Sequence, residues 1–169
     1  MPNSPKTQIL TTRDNRLRVR FVWKDDRFGH LIELNSVGDW HVVAESTEGT
    51  SDDFWPASPP FQQVESHVIS GDTQCLLAVG LSGSSHWSAS IEEIHENVPH
   101  TAIRFDIACR MKKADGQLGS SYHVEPGQPV EIVTSSIVST EARSVNITPN
   151  ANPSDRSVTA RWAYDFVIN

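Results

Sequence analysis

Leu17, Val19, Phe21 and Trp23 alternate along the chain with Arg18, Arg20 and Val22, and Arg16 extends the charged set. A period of two predicts a strand packed on one side with its charges on the other. Lys24-Asp25-Asp26 turns the chain, residues 28–34 return as a second strand, residues 35–39 turn again and residues 40–45 form a third. The turns are rich in Asp, Asn, Ser and Gly, which accept turn geometry. Strands joined this tightly form an antiparallel meander.

The pattern then changes. Residues 46–60 hold Glu48, Asp52, Asp53, Phe54 and Trp55 with Pro56, Pro59 and Pro60. Proline has no ladder donor, so this is a long loop, and loops of that length are often functional. In residues 61–69, Phe61, Val64 and Val68 fit a helical stripe, but the β-rich surroundings favour a strand. Residues 75–81 are a near-continuous apolar run, which predicts a central strand covered on both faces. Residues 82–85 break the run, and 86–92 alternate with Trp87, Ala89 and Ile91 inward. One helical turn is expected over 92–97, before Pro99. Residues 103–111 form the most regular strand, with Ile103, Phe105, Ile107, Cys109 and Met111 inward, and 114–117 a hairpin-type turn. Weaker strands follow at 121–125, 130–135 and 144–148, then a loop at 150–155. Residues 158–168 close the chain as a strand too apolar to trail free.

Nine to eleven short antiparallel strands with at most one short helix indicate an all-β fold. A two-sheet antiparallel β-sandwich of jelly-roll-like topology is the expected form. Residues 1–14 lack periodicity and read as a mobile tail, and residues 15–169 read as a single domain.

Composition agrees and narrows the function classes. The 169 residues include 38 β-branched residues against 8 leucines, an excess suited to pleated strands. No apolar run approaches the length of roughly 20 residues that spans a bilayer as a helix, so no membrane partner is expected. A net charge of −7 argues against a nucleic-acid partner. Two cysteines cannot make a disulfide scaffold. No secretory signal is visible at the N-terminus, so a soluble, cytoplasmic protein with reduced Cys75 and Cys109 is expected.

The candidate chemistry is diffuse. The densest group of ligating residues is His86, Glu92, Glu93, His95, Glu96 and His100. A metal needs three or four such groups converging. His95 and His100 are spaced wrongly for one helical face, and His86 and Glu92, on one strand face, lie about 20 Å apart. No metal and no cofactor are therefore expected, and His86, Glu92, His95 and His100 are the nearest metal candidates. Glu45, Glu48, Asp52 and Asp53 supply carboxylates without the ordered register of a calcium loop. Gly80-Leu81-Ser82-Gly83 is one residue short of a nucleophile elbow. Arg104, Asp106, Arg110, Arg161 and Asp165 face outward and are expected to form cross-strand pairs, with an anion site from the arginines as the lesser alternative.

Gly80, His86, Ser88 and Glu92 resemble the first motif of the cupins, a glycine followed by His-x-His and a glutamate. The resemblance covers about 13 residues. It implies a His/Glu metal-assisted enzyme of cupin-like type. Ser88 stands where that motif has its second histidine, and Pro126-Gly127-Gln128-Pro129 echoes the second motif without its histidine and asparagine.

The residues themselves favour a non-catalytic module that binds a small ligand or a protein partner. Its site is expected at the loop end carrying Trp55 and the 82–86 turn, with Trp55, Phe54, Ser84, His86 and Trp40 as ligand-binding residues. Flat rings beside polar side chains suit such a role. Trp55 as a plug at the end of the core is the competing reading. The alternatives to a binding module are the cupin-like enzyme and a self-assembling structural subunit, and a homo-oligomer is compatible with either.

Overall fold

A computed structural model describes residues 5–95, 100–113, 116–150 and 158–169. They contain thirteen strands and no helix. These are β1 (Gln8–Thr11), β2 (Leu17–Lys24), β3 (Arg27–Ser36), β4 (Asp39–Ser46), β5 (Phe61–Ser70), β6 (Thr73–Ser82) and β7 (Ser85–Glu93). Then come β8 (Thr101–Met111), β9 (Ser120–Val124), β10 (Val130–Val133), β11 (Ile137–Glu141), β12 (Ser144–Thr148) and β13 (Val158–Ile168).

All thirteen belong to one antiparallel sheet, ordered β10-β13-β8-β7-β6-β5-β3-β4-β9-β12-β11, with β2 and β1 branching from β3. It is strongly curled into a half-barrel. The junction is β3. One of its edges pairs with β2 from Leu17↔Leu34 to Lys24↔Arg27. The other carries β4 from Leu31 to Ser36, and β5 through the single pair Phe28↔Phe61. Hydrogen bonding is thus continuous where two separate sheets were expected.

The inner face is the core predicted from alternation. Leu17, Val19 and Phe21 of β2 are buried, as are Ile91 of β7, Ile103, Phe105 and Ile107 of β8, and Trp162, Tyr164 and Phe166 of β13. Phe105 stacks on Tyr164 with centroids 5.2 Å apart, and Phe166 meets both Phe105 and Tyr122 edge-on. Ring stacks of this kind contribute beyond their buried area. On the outer face of β2 and β3, Arg18 and Arg20 share the carboxylate of Glu33 at 2.6 and 2.7 Å.

Four expectations change. Residues 8–11, assigned to a tail, form β1, which pairs with β2 from Gln8↔Phe21 to Thr11↔Arg18. Leu10 fills the core there, a single apolar contact too short to read as periodicity. The run at 75–81 is covered on one face only: Leu76 and Ala78 are buried, whereas Leu77, Val79 and Leu81 are 42%, 48% and 56% exposed. Glu92 and Glu93 end a strand rather than begin a helical turn, whose later part lies outside the described residues. β11 was not anticipated, because all five of its residues are exposed and leave no alternation. The 114–117 turn lies partly outside the described residues.

Candidate functional site

Trp55 sits on the loop between β4 and β5. Thr50 N–H donates to Asp53 Oδ2 at 2.7 Å, which tightens the loop's first turn. Ser82 Oγ donates to the Asp53 carbonyl at 2.6 Å and ties the loop to β6. Ser58 Oγ donates to the Ser121 carbonyl at 3.1 Å and accepts from Ser121 N–H at 3.0 Å, tying it to β9. Phe54 is exposed over Gly83. Trp55 is half-buried, edge-on to Trp87 with centroids 6.4 Å apart. A Cβ at Gly116 would stand 2.0 Å from its ring, so the chain crosses Trp55 where only glycine fits. Trp55 thus closes the end of the core. It also borders a shallow cavity of about 370 Å³ with Gln117, Leu118 and Asn146.

The other candidates lie elsewhere. Trp40, at the start of β4, is covered by the Arg18 guanidinium 4.2 Å from its ring centroid. Ser84 and His86 flank the β6–β7 turn beside Arg110, Met111 and Lys112, around a concavity of about 400 Å³. Trp40, Trp55 and His86 therefore do not form one platform. His86 and Glu92 occupy opposite ends of β7, His95 lies 3.6 Å from Glu93, and His100 is exposed. Among the described residues, no three His, Cys, Asp or Glu side chains are placed to hold a metal. The carboxylates of the acidic loop are dispersed. Glu45 pairs with Lys24 at 2.6 Å, Asp53 caps its own turn and Glu48 faces inward.

The Ser84–His86 concavity opens onto a larger one. A groove of about 590 Å³ runs over the outer face of β6, β7, β8 and β13 and shares His86 and Arg110 with it. Strand register builds this groove. Val79, Ser88, Ala108 and Arg161 stand in one row across the four strands. Leu81, His86, Arg110 and Thr159 stand in the next. The middle positions, Ser88 and Ala108, are small and form the floor. β6 supplies an aliphatic wall, and Arg110 and Arg161 a cationic one. The β5 end is set by an irregularity. The β5–β6 register shifts between Phe61 and Gln63, and the Gln62 amide bridges Leu81, accepting from its N–H at 2.7 Å and donating to its carbonyl at 3.1 Å. Gly80 permits this approach, since a Cβ there would lie 1.8 Å from the Pro60 carbonyl oxygen.

Charge on this face is uneven. Arg104 makes a two-pronged pair with Asp165 at 2.8 and 2.9 Å, as the cross-strand expectation required. Among the described residues, no carboxylate lies within 4 Å of a side-chain nitrogen of Arg110, Lys112 or Arg161.

A second polar constellation is internal, and the sequence reading missed it. His30 Nε2 and Tyr122 Oη are 2.7 Å apart, Tyr122 Oη and Tyr164 Oη 2.6 Å, and Trp162 Nε1 donates to Ser120 Oγ at 3.0 Å. The His30 ring packs against Phe21 and Phe105. Burial, with the charge of Lys24, pushes His30 down to about 3, so it is neutral. Burial raises both tyrosines above their ordinary value. Ser46 Oγ accepts from His30 N–H at 2.8 Å and donates to Glu48 Oε1 at 2.5 Å. Burial pushes Glu48 up to about 7, against the pull of Ser46, Arg27 and Lys24. Glu48 Oε2 and Arg27 Nη1 are buried without a hydrogen-bond partner among the described residues. The available signal was His30 itself, which shares the inward parity of Phe28 and Ile32.

Cys75 and Cys109 are both unpaired and buried. Burial pushes the Cys109 thiol up to about 12, which leaves it unreactive. No described helix is long and apolar enough to cross a membrane. Comparison with known proteins finds no matching family model, no similar curated protein and no similar solved structure. The described residues define an all-β chain in one curled sheet, with a groove on its outer face and a polar ladder in its core.

Proposed function

We propose that this chain is a non-catalytic binding module whose site is the groove on the outer face of β6, β7, β8 and β13, entered from the Ser84–His86 end. The observation that carries this reading is the groove's cross-section. Two exposed aliphatic side chains, Val79 and Leu81, lie across the groove from Arg161 and Arg110, with the small residues Ser88 and Ala108 between Val79 and Arg161. An outward strand face is ordinarily filled by its own side chains. Here the sequence places serine and alanine at the centre, and leaves Val79 and Leu81 about half exposed. The volume falls within the range typical of small-ligand sites. Apolar walls with a few fixed polar groups are the usual composition of such sites.

The reading keeps Ser84 and His86 as ligand-facing residues and gives Trp55 and Trp40 to packing. It takes the curled sheet as a sandwich-like closure of jelly-roll type. It also places the chain in the cytoplasm, where the buried thiols stay reduced.

Anilinonaphthalene sulfonate, an apolar fluorophore with one anionic group, tests it. The folded protein should bind this dye saturably. Ala108→Trp should abolish binding by filling the floor, and Val79→Glu should weaken it by placing an acid on the aliphatic wall. Both residues face outward, and circular dichroism checks that each variant keeps its strand signal. Absence of saturable binding, or equal binding by both folded variants, contradicts the proposal.

A further inference from the structure

The charge along the groove is the least explained feature of an acidic molecule. Two cations, Arg110 and Arg161, line it in a chain of net charge −7, and Lys112 lines the adjoining concavity with Arg110. The same face shows what a structural arginine looks like: Arg104 is held by two hydrogen bonds to Asp165. Arg110 and Arg161 sit on the same two strands, opposite Thr159 and Ala108. Neither pairing partner carries charge, and no described carboxylate lies within salt-bridge distance. A guanidinium is always charged and offers planar donors matched to a carboxylate. Like charges brought together on a sheet face repel, and such a cluster is relieved by an anion.

The opposite wall restricts what that anion can be. Val79 and Leu81 stand exposed across the floor from the arginines. Inorganic phosphate or sulfate would satisfy the cations and leave this wall in water. An amphiphile covers both, with its head against Arg110 and Arg161 and its hydrocarbon body along β6. Burying that body contributes roughly 25 cal/mol per Å² of apolar surface.

We infer that the groove takes a small ligand with one carboxylate head and an aliphatic body. This inference rests on the groove being the binding site. The chemistry it names is charge-specific, so it can fail while the groove reading stands.

Calorimetric titration of the full chain with octanoate, 1-octanol and octylammonium separates the two. Octanoate should bind about tenfold more tightly than octanol, a difference of about 1.4 kcal/mol. Octylammonium should bind most weakly, and added salt should weaken octanoate binding alone. The double variant Arg110→Gln/Arg161→Gln removes only exposed charge, so it should fold normally. It should lose the octanoate preference and keep octanol affinity. Octanol binding as tightly as octanoate, or octylammonium binding best, overturns the carboxylate assignment and leaves the groove in place. If none of the three compounds binds and the fluorophore is also ignored, both readings fall. Tighter binding of a soluble acidic peptide than of octanoate also overturns the small-ligand assignment.

Discussion

His30 is a histidine enclosed by aromatic rings, and its neutrality has a stability consequence. Its pKa is depressed from 6.5 to about 3, so the unfolded chain takes up a proton first as the pH falls. His30 therefore supports the fold fully above about 6.5 and progressively less toward 3. Glu48 acts in the opposite sense. Its pKa is raised from 4.5 to about 7, so stability is greatest below about 4.5 and falls as the pH rises toward 7. Between 4.5 and 6.5 the two slopes oppose each other. Glu48→Gln removes one of them. Its stability relative to the parent chain should rise by about 2 kcal/mol between those two pH values. Urea denaturation midpoints at each pH measure this, and parallel curves for the two proteins would contradict it.

Val37 carries backbone strain. With Gly38 it forms the two-residue loop between Ser36 and Asp39, and both residues have positive φ, 53° and 92°. That turn favours Asn-Gly, and a β-branched residue there is strained. The side chain is fully exposed, so no packing compensates. Val37→Asn should stabilise the protein by about 1 kcal/mol, read as a higher denaturation midpoint at unchanged m-value.

At the scale of elements, strands were legible wherever one face is buried along a whole strand. β2, β7, β8 and β13 carry such faces, and their inward residues are the ones alternation names. β1 and β11 were hidden for physical reasons: β1 places one leucine in the core, and β11 buries nothing. The misreading of residues 75–81 matters most. A continuous apolar run fits a strand covered on both faces and equally a strand with one apolar face left open, and periodicity cannot separate these. That open face is one wall of the groove. His86 lines the groove and Ser84 the concavity beside it, whereas Arg110 and Arg161 looked like ordinary members of a cross-strand set. Distinguishing them from Arg104 required the register. The loop at 47–60 gives the converse result. Trp55 drew attention as an aromatic in a Pro-rich loop, yet it packs against Trp87 and Gly116. Trp55→Ala should lower stability by about 2 kcal/mol, as for a large, half-buried side chain, and leave fluorophore affinity unchanged. Thermal unfolding and dye titration of the same variant check both halves.

At the scale of the molecule, the curled sheet divides its polar groups by face. The inner face holds neutral, hydrogen-bonded groups in His30, Tyr122 and Tyr164. The outer face of β2 and β3 pairs its charges through Glu33, whereas the outer face of β8 and β13 pairs Arg104 and leaves Arg110 and Arg161 over the groove. In the proposed function this outer groove, rather than the Trp55 end, receives the ligand. Amide-shift mapping by two-dimensional NMR during titration with anilinonaphthalene sulfonate tests it most directly. The predicted result is a saturating set of shifts centred on Val79, Ser88, Ala108 and Arg161. Shifts centred instead on Trp55, Gln117 and Asn146, or scattered without saturation, would contradict it.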